Sequence, residues 1–440
     1  MAYQWPPSPM PASGGVLRRA SVPTCMLDPV PDGARAGVEG LALVDIAIAD
    51  GRLSWVRPAA EGEAAAGDIE LLHNQVWPCF VDMHTHLDKG HIWPRAENPD
   101  GTMDSAVAAV VGDHAHWTAA DVAARMSFGL RAAYAHGTSA IRTHIDSHSP
   151  QHEVSWPVFA RMREEWRGRI ALQAVTIILL DQLEGPFGAQ LADWVARHDG
   201  VLGAVALPAP ALSAQLDRIF ALAAMRNLEL DFHADETGNA AAVALRAIAE
   251  AKLRHRFAGR VVVGHCCSLA RQTESEIDRT LDLVAEAGLA VVSLPMCNLY
   301  LQDRTPGRTP RWRGVTLLHE MRARGIALAL ASDNCRDPFY GYGDHDGLEV
   351  FQQAARIAHL DRPVGDWPAA VTRTPADVIG SASLGRVKAG APADLVLFNA
   401  RGYSELLSRP QSDRVVLRAG RPIDTSLPSY RELDAVVAPP

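Results

Sequence analysis

From Trp77 onwards the chain alternates short apolar runs with amphipathic stretches, and this rhythm constrains the fold more than any other feature. The apolar runs are rich in Val, Ile, Leu and Ala, as in parallel strands that are buried on both faces. Between two of them, Val122, Met126 and Leu130 fall on one helical face, and Gly137 follows as a stop signal. The predicted strands are residues 76–84, 139–146, 170–179, 201–208, 227–233, 259–265, 288–295 and 325–332. Eight such units predict an α/β fold, a (β/α)8 TIM-type barrel with its active site at the carboxyl ends of the strands.

The two ends of the chain have short apolar runs with no helix between them. An Asp50-Gly51 turn separates two such runs in the N-terminal part, and short strands return after about residue 380. We expect these segments to form one small discontinuous β-sandwich, residues 25–76 plus 381–435, next to a barrel at residues 77–380. Residues 1–24 are rich in Pro, Ser and Gly and are predicted to form a flexible N-terminal arm.

Composition narrows the possible partners and location. The net charge of −9 and the lack of a basic run argue against nucleic acid as a partner. Six cysteines are scattered without a C-x-x-C pair, which favours a reducing, cytoplasmic location. No apolar stretch reaches the ~18 residues that a membrane span needs, so no membrane association is expected.

Histidines and one aspartate stand where predicted strands end. His84 and His86 are two residues apart at the end of the first strand, so both imidazoles can point to the same side and bind one ion. His233, His265 and Asp333 end the fifth, sixth and eighth strands, and strand ends converge in a barrel. Three of these four imidazoles together with the carboxylate make a mixed nitrogen and oxygen site. The sequence therefore predicts a divalent metal ion, Zn²⁺ or Fe²⁺.

A metal ion with an open coordination position favours hydrolytic chemistry. It lowers the pKa of bound water from about 15.7 to about 7 and so supplies hydroxide at neutral pH. Hydrolysis also needs a proton shuttle, and Glu236 stands three residues after His233, where it can reach over the bound water. Glu236 is therefore the candidate general acid and base, whereas Asp235 is expected to cap the following helix.

Five stretches in order, FVDMHTHLDK, DFHADE, GHC, ASDN and a late TPADVIG followed by AGAPADLVLF, resemble the amidohydrolase superfamily, and more narrowly its cytosine deaminase branch. The match covers nearly the whole predicted barrel and the C-terminal strands. The fourth strand contains no Lys, Glu or Cys, whereas binuclear members need such a bridging residue, so the resemblance implies a single metal ion. It implies metal ligation by His84, His86, His233 and Asp333 and catalytic roles for Glu236, His265 and Asp333.

The resemblance also implies how these catalytic residues act. His265 would orient the metal-bound hydroxide, Asp333 would accept its proton, and Glu236 would protonate the ring nitrogen beside the attacked carbon. Hydroxide would attack the ring carbon that bears the amine, and ammonia would leave after proton transfer.

The substrate pocket departs from the cytosine deaminase pattern. Those enzymes have a glutamine after the third strand that hydrogen-bonds the pyrimidine amide edge, whereas this chain has Leu179 there and Gln182 three residues later. Either Gln182 or a backbone group takes that role, or the substrate differs at this edge. Phe339 stands where the cytosine enzymes have tryptophan, which leaves room for a bulkier substrate, unless it only packs in the core. The other predicted substrate-binding residues are His144, Asn334 and Asp337.

These features predict a metal-dependent hydrolytic deaminase of a free aminated heterocycle, with cytosine or a 5-substituted cytosine as the expected substrate. One alternative is an aminohydrolase of an aminotriazine or another cyclic C–N bond. Another is a catalytically silent barrel that acts as an assembly subunit, although the complete ligand set with Glu236 argues against it. The sequence leaves the oligomeric state open, and homo-oligomers are common in the superfamily that the chain resembles.

Overall fold

The computed structural model describes Trp5, residues 14–62, Ala65 and residues 67–437. The chain divides into two compact units, one of Met1–Asp82, Ala132–Ala140 and Asp346–Leu427 and one of Met83–Arg131, Ile141–His345 and Pro428–Pro440. The proposed boundaries of the sandwich and the barrel stay a prediction.

The strands are β1 (Gly15–Pro23), β2 (Leu41–Ala49), β3 (Arg52–Pro58), β4 (Ile69–Glu70), β5 (Val76–Pro78), β6 (Phe80–Thr85), β7 (Thr138–Asp146), β8 (Ala171–Ile177), β9 (Leu202–Ala206), β10 (Leu230–Ala234), β11 (Val261–His265), β12 (Ala290–Ser293), β13 (Ala327–Leu330), β14 (Leu395–Leu397), β15 (Val415–Arg418) and β16 (Arg421–Pro422). The α-helices are α1 (Met103–Asp113), α2 (Ala119–Ala135), α3 (His152–Glu165), α4 (Pro186–Arg197), α5 (Leu212–Ala224), α6 (Ala244–His255), α7 (Glu274–Glu286), α8 (Pro295–Leu301), α9 (Leu318–Ala323), α10 (Gly347–Ile357), α11 (Arg373–Val378), α12 (Tyr403–Leu407) and α13 (Asp434–Val437). Short 3-10 helices cover Thr24–Met26, His114–His116, Leu180–Leu183, Cys267–Arg271, Trp367–Val371 and Tyr430–Leu433.

Two small sheets lie in the first unit. One has the strand order β3-β2-β1-β4 and the other has the order β16-β15-β14-β5. The β2–β3 hairpin turns at Asp50 and Gly51, whose φ angles of 50° and 74° match a tight turn that requires positive φ at both central residues. β5 pairs antiparallel with β14, so N-terminal and C-terminal segments share a sheet, as predicted for a discontinuous β module.

Strand β1 corrects the prediction of a flexible arm over residues 1–24. Residues 15–23 pair with β2 on one side and β4 on the other, and Leu17, Ala20 and Val22 are fully buried. The register shifts between Leu17 and Ala20, and Arg19 has a φ of 51°. This bulge interrupts the alternation of apolar and polar residues by which a strand is recognised. Residues 1–4 and 6–13 of the expected arm lie outside the described residues.

The predicted (β/α)8 barrel is confirmed, and eight strands, β6 to β13, form it. β6, β7 and β8 make one sheet, and β9 to β13 make a second one with parallel pairing. Parallel bridges join Val175 to Val201 and Leu179 to Val205, and another joins Thr85 to Asp333. These bridges link β8 to β9 and the last strand back to the first, so the carboxyl ends of all eight strands face one mouth.

The predicted first strand, residues 76–84, is in fact two elements. β5 ends at Pro78 and pairs with β14, and β6 begins at Phe80 and enters the barrel. The apolar run is continuous, so periodicity alone did not reveal the break. Searched over the described residues, the α-helices include none whose length and apolar character would suit a membrane span.

Candidate active site

Three histidines and an aspartate meet at the carboxyl ends of the barrel strands. His84 Nε2 is 3.1 Å from His233 Nε2, which is 3.3 Å from His86 Nε2. Asp333 Oδ1 is 3.2 Å from His86 Nε2 and 3.6 Å from His84 Nε2. A Cβ at Gly264 would lie 2.9 Å from His84 Cε1, so glycine at this point of β11 leaves room for the imidazole. The four side chains are buried, and β6, β10 and β13 position them.

This donor set fits one divalent metal ion. Two nitrogens that each lie about 2.1 Å from one ion, at angles of about 90–110°, are separated by about 3.0–3.4 Å, as the imidazole nitrogens are here. Neither carboxylate oxygen of Asp333 has a hydrogen-bond partner in the part of the chain that the structure describes. Burial and neighbouring cationic groups lower the pKa of His84, His86 and His233 well below the ordinary value. Their imidazoles are therefore neutral, as metal ligands must be.

Glu236 forms a hydrogen-bonded group with His265 and Asn298 beside the metal ligands. Glu236 Oε1 is 3.1 Å from His265 Nδ1 and accepts a hydrogen bond of 3.0 Å from Asn298 Nδ2. Asn298 Nδ2 also lies 3.0 Å from His265 Nδ1. Burial by itself would lower the pKa of His265, but the Glu236 carboxylate raises it above the ordinary value. The group therefore holds a carboxylate and an imidazole ready to exchange protons next to the ligand cluster.

The backbone is strained where the site residues leave their strands. Asp235, His265 and Asp333 have φ angles of 56°, 71° and 62°, in the left-handed region that side chains with a Cβ rarely adopt. Asp235 is held there because its carboxylate accepts hydrogen bonds from Ala244 N and Leu245 N at the start of α6, at 2.8 and 2.9 Å. Strain of this kind concentrates at functional sites, since it aims side chains that an extended strand would point elsewhere.

A cavity of about 390 Å³ opens above the cluster. Its floor includes His86, His233, His265 and Asp333, and Glu236 lines its wall. Apolar side chains form much of the rest, namely Met103, Val107, Ile177, Leu179, Val205, Leu207 and Phe339. A mostly apolar cavity with a few polar groups at its base is typical of a small-molecule site.

Sequence comparison assigns the family. The amidohydrolase family pattern matches residues 193–424, and a pterin deaminase of Rhizobium rhizogenes is 53% identical over 432 residues, covering 98% of each chain. This chain belongs to the amidohydrolase family. The predicted resemblance is thus confirmed, and this amidohydrolase lies in the deaminase branch.

Solved structures agree with this fold. A 5-methylcytosine deaminase of Klebsiella pneumoniae superposes with a TM-score of 0.78 at 21% identity, covering 93% of this chain and 98% of the other. An N-isopropylammelide isopropylaminohydrolase of Burkholderia multivorans gives a TM-score of 0.73 at 25% identity, with coverages of 94% and 100%. The amidohydrolase is therefore a hydrolase of C–N bonds, a metal-dependent deaminase that acts on a small heterocycle.

The six predicted substrate-binding residues fall into two groups. Leu179, Asn334 and Phe339 line the cavity, and their contact with substrate stays a prediction. Gln182 does not line it: this residue is exposed on the 3-10 helix Leu180–Leu183. Asp337 does not either, because its buried carboxylate accepts hydrogen bonds of 2.8 Å from Asn334 Nδ2 and Phe339 N.

His144 does not line the cavity either. Its ring is 4.0 Å from the ring of His84, and its Nε2 is 3.4 Å from Asp231 Oδ1. Asp231 is in turn 3.1 Å from Arg142 Nη1. His144 therefore supports His84 from behind, and the prediction that it contacts substrate is corrected.

Sequence reasoning missed two buried residues of the amidohydrolase site. Lys89 is 5% exposed and lines the cavity, with its Nζ 4.4 Å from the centre of the Phe339 ring. Asn298 lies on α8 in an apolar run, PMCNLYL, and is the donor that holds Glu236. Two features of the sequence could have pointed to these residues. Lys89 is a charged residue three positions after His86, and Asn298 is the amide in an otherwise apolar helical segment.

Proposed function

We propose that this amidohydrolase deaminates a pterin, a fused two-ring heterocycle with an amine on one ring carbon. The observation that carries this proposal is the 53% identity to a pterin deaminase over 98% of both chains. The cavity supports it, because about 390 Å³ with apolar walls suits a flat, fused aromatic ring. Phe339 and Leu179 present apolar surface for such a ring to stack against.

In this proposal His84, His86, His233 and Asp333 hold one divalent ion, Zn²⁺ or Fe²⁺. That ion, when bound, supplies Lewis-acid polarisation and activates water at neutral pH. The substrate lies with its amine-bearing carbon over the ligand cluster, between the apolar walls.

Glu236 moves the protons in the proposed reaction. It takes a proton from the attacking water and delivers it to the ring nitrogen next to the attacked carbon. The hydrogen bond from Asn298 keeps Oε1 of Glu236 in place, and His265, 3.1 Å away, lies where it can bind the attacking oxygen. The leaving group departs as ammonia after a second proton transfer.

Cytosine and 5-substituted cytosines, the substrates predicted from the sequence, remain alternatives and are assayed beside pterin. We expect metal-loaded protein to release ammonia from pterin with a kcat/KM on the order of 100-fold above that for cytosine, 5-methylcytosine and an aminotriazine, since a larger ring fills the apolar cavity. Ammonia release with Zn²⁺-loaded and Fe²⁺-loaded protein measures this. A higher kcat/KM for cytosine would contradict the proposal. Glu236→Gln protein serves as the control, because it keeps the metal ligands and loses the proton shuttle.

A further inference from the structure

Lys89 presents a buried ammonium group to the substrate cavity with no anion in contact. Its side chain is 5% exposed and lies on the cavity wall. Four carboxylates, those of Asp146, Asp337, Asp333 and Asp88, act on it electrostatically, but none within the described chain is close enough for an ion pair. The contact that it does make is with the face of Phe339. A buried cation without a paired anion is costly, so the fold keeps it where a ligand can complete its hydrogen bonds.

Three other polar side chains that line the cavity, those of Asp235, Asn334 and Glu236, already have hydrogen-bond partners. Asp235 accepts two backbone hydrogen bonds from α6, and Asn334 donates to Asp337 at 2.8 Å. Glu236 accepts from Asn298 at 3.0 Å. No arginine and no second lysine lines the cavity among the residues that the structure describes. Lys89 is therefore the cationic donor available to a substrate.

The cavity also lacks the amide donor that the cytosine deaminase pattern predicts after the third barrel strand. Leu179 occupies that wall with an apolar side chain, and Gln182 lies outside. A polar substrate edge buried there without a partner would cost binding energy. A pterin has such an edge, because an oxo group lies on the ring carbon next to the nitrogen that flanks the amine-bearing carbon.

We propose that the ammonium of Lys89 binds the oxo oxygen of the substrate and selects oxo-bearing aminoheterocycles over those that lack this oxygen. This inference rests on the proposed function for the identity of the substrate. Phe339 is a positioning residue in this scheme, since its ring face holds the ammonium 4.4 Å from its centre. A charge-assisted hydrogen bond to the oxygen stabilises the bound ring in the orientation that places its amine over the metal ligands.

The test compares pterin with its analogue that lacks the oxo group. We expect Lys89→Met to lower kcat/KM for pterin by about 10- to 100-fold and to change kcat/KM for the analogue by less than about threefold. Equilibrium binding of the deaminated product, which keeps the oxo group, should weaken by a similar factor. Lys89→Arg, which keeps the charge, should retain most of the discrimination. Lys252→Met, at a partly buried lysine that does not line the cavity, is the matched control. Metal content and Tm of each variant report whether the site is still folded.

Three outcomes decide between the possibilities. Equal losses for pterin and its analogue, or unchanged affinity for the product, would overturn the role of Lys89 and leave the pterin proposal standing. If wild-type protein deaminates cytosine and not pterin, the proposed function fails. In that case the Lys89 variants are compared on cytosine and on its analogue without the oxo group. This comparison supports or overturns the role of Lys89 independently of the pterin proposal.

Discussion

Two clusters of buried metal-ligating side chains lie in the same unit, and they differ in their surroundings. The first contains His84, His86 and His233 and opens into the cavity, with a carboxylate in contact. The second contains His91, Cys335 and His345, whose ligand atoms lie within 4.8 Å of one another. The two clusters show that a group of histidines becomes a reactive site through the groups around it.

The second cluster is enclosed by apolar and cationic groups. The ring of His91 packs edge-on against Phe128 at 4.8 Å, and both of its nitrogens lack a hydrogen-bond partner in the described chain. Burial, the neighbouring His345 and the cations of Arg336 and Arg125 lower the pKa of His91 well below its ordinary value. The two guanidinium groups nearby repel a dication, which disfavours metal binding at this cluster. We therefore interpret it as packing.

The largest expected difference between the clusters is in metal binding and turnover. His84→Ala should lose the metal and reduce kcat by about 10,000-fold, because metal-ion catalysis supplies several kcal/mol of transition-state stabilisation. His91→Leu should bind one equivalent of metal and retain kcat within about twofold. Metal analysis and ammonia release measure both variants. Activity in metal-free His84→Ala protein would refute the site.

Glu236→Gln should keep the metal and lose turnover by about 100- to 1,000-fold, because the amide cannot carry protons while it occupies the same space. The metal content and kcat of purified protein test this separation. Asn298→Ala, which removes the hydrogen bond of 3.0 Å to Glu236, should lower kcat by about tenfold with unchanged metal content. Loss of metal in Glu236→Gln protein would instead make this residue part of the ligand shell.

Removal of the metal should destabilise the protein, and this loss of stability should depend on the first cluster and not on the second. A ligand present at 100 times its Kd stabilises the folded state by about 2.7 kcal/mol, so chelation should lower Tm by several degrees. His91→Leu should show the same shift, whereas His84→Ala should show none. Thermal unfolding with and without a chelator measures the effect. A smaller shift in His91→Leu protein would place a metal in the second cluster.

The smallest expected effect is in the pH dependence of stability of the metal-free protein. The pKa values of His84, His86, His233 and His91 are lowered below 6.5 in the folded state, so the unfolded chain binds more protons as the pH falls below 6.5. The free energy of unfolding is therefore highest above pH 6.5 and decreases below it, by about 1.4 kcal/mol per pH unit for each such histidine. In His91→Leu protein the free energy of unfolding should decrease less steeply with falling pH, by the contribution of one histidine. Denaturant unfolding between pH 5 and pH 7 measures it, and an unchanged slope would show that His91 binds the same number of protons in the folded and unfolded states, so that its pKa is not lowered.

The sequence predicted those elements that can be recognised from a short run of neighbouring residues. Continuous apolar runs predicted β9 and β11, and the two-residue spacing of His84 and His86 predicted a ligand pair, because strand geometry alone puts such side chains on one side. Strand β1 was missed because a bulge at Arg19 breaks its alternation. The positions of Lys89 and Gln182 were also missed, since the path of a loop depends on what it packs against.

The sequence by itself indicated the barrel, the candidate metal ligands and Glu236 as the candidate proton shuttle, because strand ends converge in a barrel whatever its loops do. Only the tertiary structure decided which polar side chains line the cavity. It buried Lys89 on the cavity wall, turned Gln182 outwards and put His144 behind His84. The physical reason is that burial and hydrogen bonding of a loop side chain depend on residues distant in sequence, which no local pattern encodes.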